Sequence, residues 1–438
     1  MASILDTIAQ TVLPNGMKVI CLRKADAPVV AVHVWYRTGS AQEQPGMRGI
    51  SHFLEHMMFR GSQRFGPEEH ARKVNDAGGH CNAFTAEDVT AFVNAAPGAC
   101  LDMVLELEAD RMRGLTLDST ILEIERKVIV EEYHTYLNNP VTKAFLEFRT
   151  EFFGDHPYAL SPLGSLDDIN NITPDMCRSY FQQWYCPSNA TCVVVGDFVS
   201  EKAVFESVNR HFGGIDAGSR TRAEVAAPSG RSVAQRMERR VEFDVPLMVL
   251  GFPAPASSHT DALALEILQL VVSQGDTSRM HAELVRKRSL AVMVGGMNHY
   301  LRSAGISLFF AFFTPDVSAW RLEKALDEQL SHVRDNGITA DEMEKVKAAT
   351  LTNRVFEMYS VENLAQRIGF SEAMEGGYGH WVSRLDMLEK LSIDQVVNVA
   401  RRYWSCENKH VLTLRPKRVS PAALAAGLLR RALPVRRQ

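Results

Sequence analysis

Residues Gly49 to Gly61 read GISHFLEHMMFRG, with His52, Glu55 and His56 set among Ile50, Phe53, Leu54, Met57, Met58 and Phe59. Residues four apart share one face of a helix, so His52 and His56 can grip one ion together. Glu55, three residues after His52, lies close enough to that face to reach a water on the same ion. The apolar remainder predicts a helix buried along its other side, which would keep the site dry. Two core histidines beside an incidental glutamate would show the same five residues. The reading therefore turns on whether the chain supplies a third ligand.

Zinc sites built on histidine often take a carboxylate as third ligand and leave one position for water. The candidate lies in IERKVIVEEYHTYL (124–137), part of a helix expected over Leu117 to Leu137 with Asp118 or Ser119 as its cap. Glu132 follows His56 by 76 positions. Glu125 lies seven residues, two turns, before it on the same face. That pair can put one carboxylate on a metal and a second behind it, orienting a histidine or the water. Glu131 points about 100° away around the helix, so only one of the two neighbours can be a ligand. With 52 acidic residues in the chain, a solvated helix face is the competing reading for any one of them.

The rest of the chain is that of a globular protein. At 438 residues it exceeds what one core organises. Its 46% hydrophobic and 23% charged content is ordinary. A net charge of −4 points to no nucleic acid. No run approaches the roughly 18 apolar residues of a membrane span. The start, MASILDTIAQTVLPNG, shows neither a signal peptide nor a transit peptide. The expectation is a cytoplasmic protein, or a periplasmic one had a signal peptide been removed. Seven cysteines without a C-x-x-C pair suggest reduced thiols.

An internal repeat sets the domain organisation. ITPDMCRSYFQQWYCPSNATCVVV (172–195) aligns without gaps on LSIDQVVNVARRYWSCENKHVLTL (391–414), an offset of 219 residues. In each copy a capped helix ends in aromatics, and an asparagine (Asn189, Asn408) precedes an apolar strand. TDALALEILQLVV (260–272) stands where the first half has its His52 helix, but carries no histidine. Residues 216–235, rich in Ser, Ala, Gly, Arg and Pro, read as a linker. The expected architecture is α+β. It has two homologous domains, 1–215 with the metal site and 236–438 without one. Each is a mostly antiparallel sheet with helices packed on one face.

At this point a resemblance becomes specific. HFLEH is H-x-x-E-H, the inverse of the commoner H-E-x-x-H. Followed at this distance by ERKVIVEE, it resembles the pitrilysin-type inverzincin metallopeptidases. It is most similar to their two-domain, roughly 50 kDa branch, which includes bacterial peptidases and the mitochondrial processing peptidase. PNGMKV, GGHCNAFTAEDVTAF, NATCVVVGD and the repeat fit that family, so the likeness covers nearly the whole chain. It implies that His52, His56 and Glu132 bind one Zn²⁺, that Glu55 is the general base and that Glu125 is a second acid behind the ligands. It also implies that Asn82-Ala83-Phe84-Thr85 is an edge strand to which peptide substrate adds. The two halves would form part of a clam-like chamber. His80, just before that stretch, reads better as an exposed histidine than as a ligand.

One segment departs from the family pattern. Active single-chain members carry L-R-E-K-R-G-L-A-Y in the second half, whose Arg and Tyr reach substrate and oxyanion. Here Leu284 to Val292 read LVRKRSLAV, with Val285 in place of the Arg and Val292 in place of the Tyr. Arg286 and Tyr300 lack the expected spacing. The resemblance therefore implies a zinc endopeptidase subunit paired with a homologous, zinc-less partner that supplies Arg and Tyr. Alternatives are a non-catalytic core-type assembly subunit or a presequence-processing subunit. The tail 415–438 holds seven basic residues and no acidic one, and is expected to be a solvated terminal helix or a subunit contact.

Overall fold

The computed structural model describes residues 7–218, 225–228 and 234–418. The expected terminal helix beyond 418, and residues 219–224 and 229–233 of the expected linker, lie outside the described residues.

The strands are β1 (Ala9–Val12), β2 (Lys18–Arg23), β3 (Val29–Tyr36), β4 (His80–Thr85), β5 (Thr90–Pro97) and β6 (Ala190–Gly196), then β7 (Arg236–Val241), β8 (Leu247–Ala254), β9 (Met293–Tyr300), β10 (Gly305–Phe312) and β11 (His410–Pro416). They form two sheets, ordered β1-β2-β6-β3-β5-β4 and β7-β11-β8-β10-β9. Without β1 the two orders match strand for strand. The one parallel pair also recurs in the same place, β2 with β6 and β7 with β11. All other pairings are antiparallel.

The repeat read from the sequence is visible in this correspondence. Helix Pro174–Trp184 leads to β6 and helix Ile393–Tyr403 leads to β11. Thr173 and Ser392 cap the two helices by accepting the Met176 and Gln395 N–H groups. The Asp261–Ser273 helix occupies the place of the His52 helix and is apolar nearly all round.

Strand β3, VVAVHVWY, is buried over all but its first residue. A continuous apolar strand needs cover on both faces. On one face Val30, Val32, Val34 and Tyr36 join a core with Phe53, Leu54, Met57, Leu105 and Met112. The other face, for which the sequence reading named no helix, receives Val361–Met374 from the second half of the chain. There the Trp35 indole lies against Gly369, with no room for a Cβ between them, and Lys18 Nζ bonds Glu372 Oε1 at 2.8 Å.

The second sheet shows the reciprocal arrangement. Helix Pro140–Phe153, from the first half, packs on β7 and β11. A Cβ on Gly251 of β8 would stand 2.7 Å from its Phe148 ring.

Contacts accordingly group the chain into two units that are not the sequential halves 1–215 and 236–438. One holds 1–135, 160–225 and 353–383, and the other 136–159, 226–352 and 384–438. Helical periodicity shows that a helix has an apolar face, but not which sheet that face will cover.

The Trp35–Gly369 contact is a measurable part of this exchange. Gly369→Ala should destabilise the chain by about 1–3 kcal/mol, as overpacked core sites do, read as a lower midpoint in chemical denaturation. An unchanged midpoint would show that the Val361–Met374 helix does not seal this face.

Candidate metal centre

The His52 helix runs from Ile50 to Met57. Eight residues make a marginal helix on their own. Burial of Ile50, Phe53, Leu54 and Met57 holds it, each contributing about 1.5–3 kcal/mol. Its start is fastened as well. Gly49 turns the chain in with φ 95°, a left-handed conformation suited to glycine. Glu43 accepts the Gly49 N–H at 2.6 Å and the Ser51 N–H at 2.9 Å. Burial pushes the Glu43 carboxyl up to about 8, with those two bonds pulling the other way. Ser51 Oγ meets Tyr180 Oη at 3.0 Å, which meets Thr38 Oγ1 at 3.0 Å.

With one side of the helix in the core, His52, Glu55 and His56 face outward on the other. The two imidazoles stand edge to face, with centroids 4.8 Å apart. Opposite them runs the helix Ser119–Asn138, capped by Asp118, which accepts the Thr120 and Ile121 N–H groups. Glu132 Oε2 lies 3.7 Å from His52 Nε2 and 3.6 Å from His56 Nε2. Glu131, the neighbouring alternative, is exposed. His52, His56 and Glu132 each offer a ligand atom, all within 4.8 Å of one another. No other three His, Cys, Asp or Glu side chains do so among the described residues.

The donor set fits zinc. Two imidazole nitrogens and a carboxylate oxygen suit a borderline cation, and ligand atoms on one tetrahedral zinc stand roughly 3.4 Å apart. Burial, and then the neighbouring His56, push His52 down to about 4, so its ring is neutral with a lone pair to give. His56 is held from behind, its Nδ1 3.3 Å from Glu125 Oε2. Glu125 is only 1% exposed, and this histidine–carboxylate contact fixes which nitrogen faces the ligand group.

Glu55 stands beside this group. Thr85 Oγ1 donates to Glu55 Oε2 at 2.5 Å. Burial raises the Glu55 carboxyl, and the Thr85 hydrogen bond opposes that shift. Thr85 ends β4, so the stretch Asn82, Ala83, Phe84 and Thr85 lies on an edge strand, paired with β5 on one side only. Phe84 packs edge-on against Trp35 at 5.5 Å. His80 is outside the ligand group and faces Glu362 at 3.1 Å.

Sequence reasoning named the ligand candidates but missed what supports them. Glu43 stands six positions before Gly49 in a stretch with no apolar period, and nothing in its spacing ties it to the helix. Thr85 was named for substrate and not for Glu55. Arg60 had a readable signal, since it follows His56 by four. Its Nε lies 2.6 Å from Glu125 Oε1.

In the second unit, Val285 packs against the core and Val292 is 44% exposed just before β9. Arg286 is exposed, 3.9 Å from Asp276. Tyr300 is tied down, its hydroxyl donating to the Ala262 carbonyl at 2.9 Å.

Known proteins place this chain. The model of the insulinase-type peptidase family M16 matches residues 18–164, and that of the peptidase M16 inactive domain matches 171–350. A relative from Helicobacter pylori, named zinc protease PqqE, is 29% identical over 409 residues, 92% of each chain. The crystal structure of a protease from Helicobacter pylori superposes with a TM-score of 0.87 at 28% identity, covering 93% of this chain and 99% of that one. The periplasmic protease PqqL from Escherichia coli shares the fold, with a TM-score of 0.80 at 19% identity. That match covers 99% of this chain but 52% of the longer one. The likeness implied by HFLEH and ERKVIVEE is thereby established at the level of the whole chain, which belongs to the M16 peptidase family.

Proposed function

We propose that this chain is a zinc-dependent endopeptidase subunit acting on unstructured peptides. The observation that carries the proposal is the convergence of His52, His56 and Glu132 from two helices, with Glu55 on the same helix as the histidines. The name zinc protease borne by the Helicobacter pylori relative supports it.

His52, His56 and Glu132 would hold the zinc, which supplies Lewis acidity where the peptide carbonyl is attacked. Glu55 takes the proton that the attacking water gives up. It returns that proton to the amide nitrogen as the C–N bond breaks, so the nitrogen leaves as an amine. Burial raises the Glu55 carboxyl, which makes it a better proton acceptor than a glutamate in water. The Thr85 hydroxyl orients one carboxylate oxygen and leaves the other for the water. The open edge of β4 offers main-chain N–H and C=O groups to an extended peptide, which accounts for a preference for unfolded chains without demanding one sequence.

The second unit argues for a partner. Val285 and Val292 offer no donor for the oxyanion, and Tyr300 is engaged elsewhere. The longer PqqL chain, of which this one covers 52%, leaves room for a further unit beside the matched part, in keeping with a partner here. A homologous, zinc-less subunit carrying Arg and Tyr would complete the site.

Two outcomes are expected. Glu55→Gln should lower peptide cleavage by about 10²–10⁴-fold without loss of bound zinc, measured on a quenched fluorescent peptide; cleavage at the wild-type rate would refute the base assignment. Adding the partner subunit should raise the rate by about 10²–10³-fold, the usual effect of an oxyanion donor. A purified single chain that is already as fast as the mixture would contradict the partner.

A further inference from the structure

We infer that Arg60 is a positioning residue for the metal group, bracing the His52 helix against the Ser119–Asn138 helix through the buried carboxylate of Glu125. The inference rests on the proposed zinc reading and adds a residue to it.

Arg60 lies just past the His52 helix, its N–H donating to the Met57 carbonyl at 2.9 Å. A cation there complements the C-terminal end of the helix dipole. From that point the side chain crosses to the other helix, where Nε stands 2.6 Å from Glu125 Oε1. The second oxygen of Glu125 faces His56 Nδ1 at 3.3 Å. One carboxylate therefore links a residue beyond the end of one helix, a candidate ligand within it, and the backbone that carries Glu132 two turns further on. On its far side Arg60 Nη1 pairs with Glu68, whose own N–H closes the turn onto the Phe59 carbonyl at 2.9 Å.

The two ends of this chain of contacts differ in weight. Glu68 is 57% exposed, and pairs of that kind contribute little. Glu125 is 1% exposed, and a carboxylate buried to that degree is strongly unfavourable once its cation is removed.

Charge leads to the same conclusion. Glu55, Glu125 and Glu132 gather three carboxylates around two histidines. Arg60 offsets one of them, leaving two negative charges for a divalent ion to balance. Without Arg60, Glu125 is drawn toward water and away from His56, and the two helices lose their cross-brace. The loss should then appear as weaker metal binding, on the scale of about 10–100-fold found for residues behind metal ligands. Lysine keeps the charge that the single Nε–Oε1 ion pair supplies but places it differently, so it should restore most of the effect but not all.

The test measures zinc affinity of the full chain by competition with a chromophoric chelator, with thermal unfolding of the zinc-free protein recorded alongside. Arg60→Ala should bind zinc about 10–100-fold more weakly and, with Glu125 left buried without its cation, its zinc-free form should unfold at a lower temperature while keeping wild-type circular dichroism at the assay temperature. Arg60→Lys should recover most of the affinity, and Glu68→Ala should match the wild type. Arg60→Ala with wild-type affinity, or Arg60→Lys as weak as Arg60→Ala, would overturn the inference and leave the zinc reading standing. A wild-type chain that takes up no zinc would overturn the zinc reading itself.

Discussion

Everything proposed for this protein depends on one helix being buried along one side only. Ile50, Phe53, Leu54 and Met57 go into the core, and the 3.6-residue period then leaves His52, Glu55 and His56 on the remaining face. The Ser119–Asn138 helix buries Leu122 and Ile129 in that same core, so its Glu132 is carried to the two histidines. The polar group is thus positioned by apolar contacts, and Glu43 and Arg60 hold the two ends of the short helix in place.

The sheet determines what stands beside that group. β3 is central and buried on both faces, β5 and then β4 follow it outward, and β4 is the edge. The same order that covers β3 with a helix from the second half therefore leaves Asn82 to Thr85 with one side unpaired, and its last residue bonded to Glu55. A peptide added to that edge would lie beside the residues proposed to cut it. The second sheet repeats the topology, yet the Asp261–Ser273 helix, apolar nearly all round, has no histidine to present. Duplication of the fold without duplication of the chemistry accounts for one candidate metal centre among the described residues.

Much of this was legible in the residues. The period of HFLEH and the two-turn spacing of Glu125 and Glu132 follow from local helix geometry, and the 219-residue repeat from the self-similarity of two segments, both of which a sequence carries. The capped helices before β6 and β11 were readable for the same reason. The exchange of helices between the two halves of the sequence was not, because the sequence of Val361–Met374 shows an apolar face without naming Trp35 as what it meets. Nor could the role of Glu43 be seen, since a carboxylate in a polar loop gives no sign that it will be buried against two backbone N–H groups. Arg60 lay in between. Its four-residue spacing from His56 was in plain view, but its partner Glu125 is 65 positions away and only the fold brings them together.

The central claim is that His52, His56 and Glu132 form one zinc site. Metal analysis of the purified chain after dialysis, set beside Glu132→Ala, tests it most directly. The account expects close to one zinc per wild-type chain and almost none in Glu132→Ala, with both proteins showing the same circular dichroism. Equal zinc content in the two proteins, or none in the wild type, would contradict it.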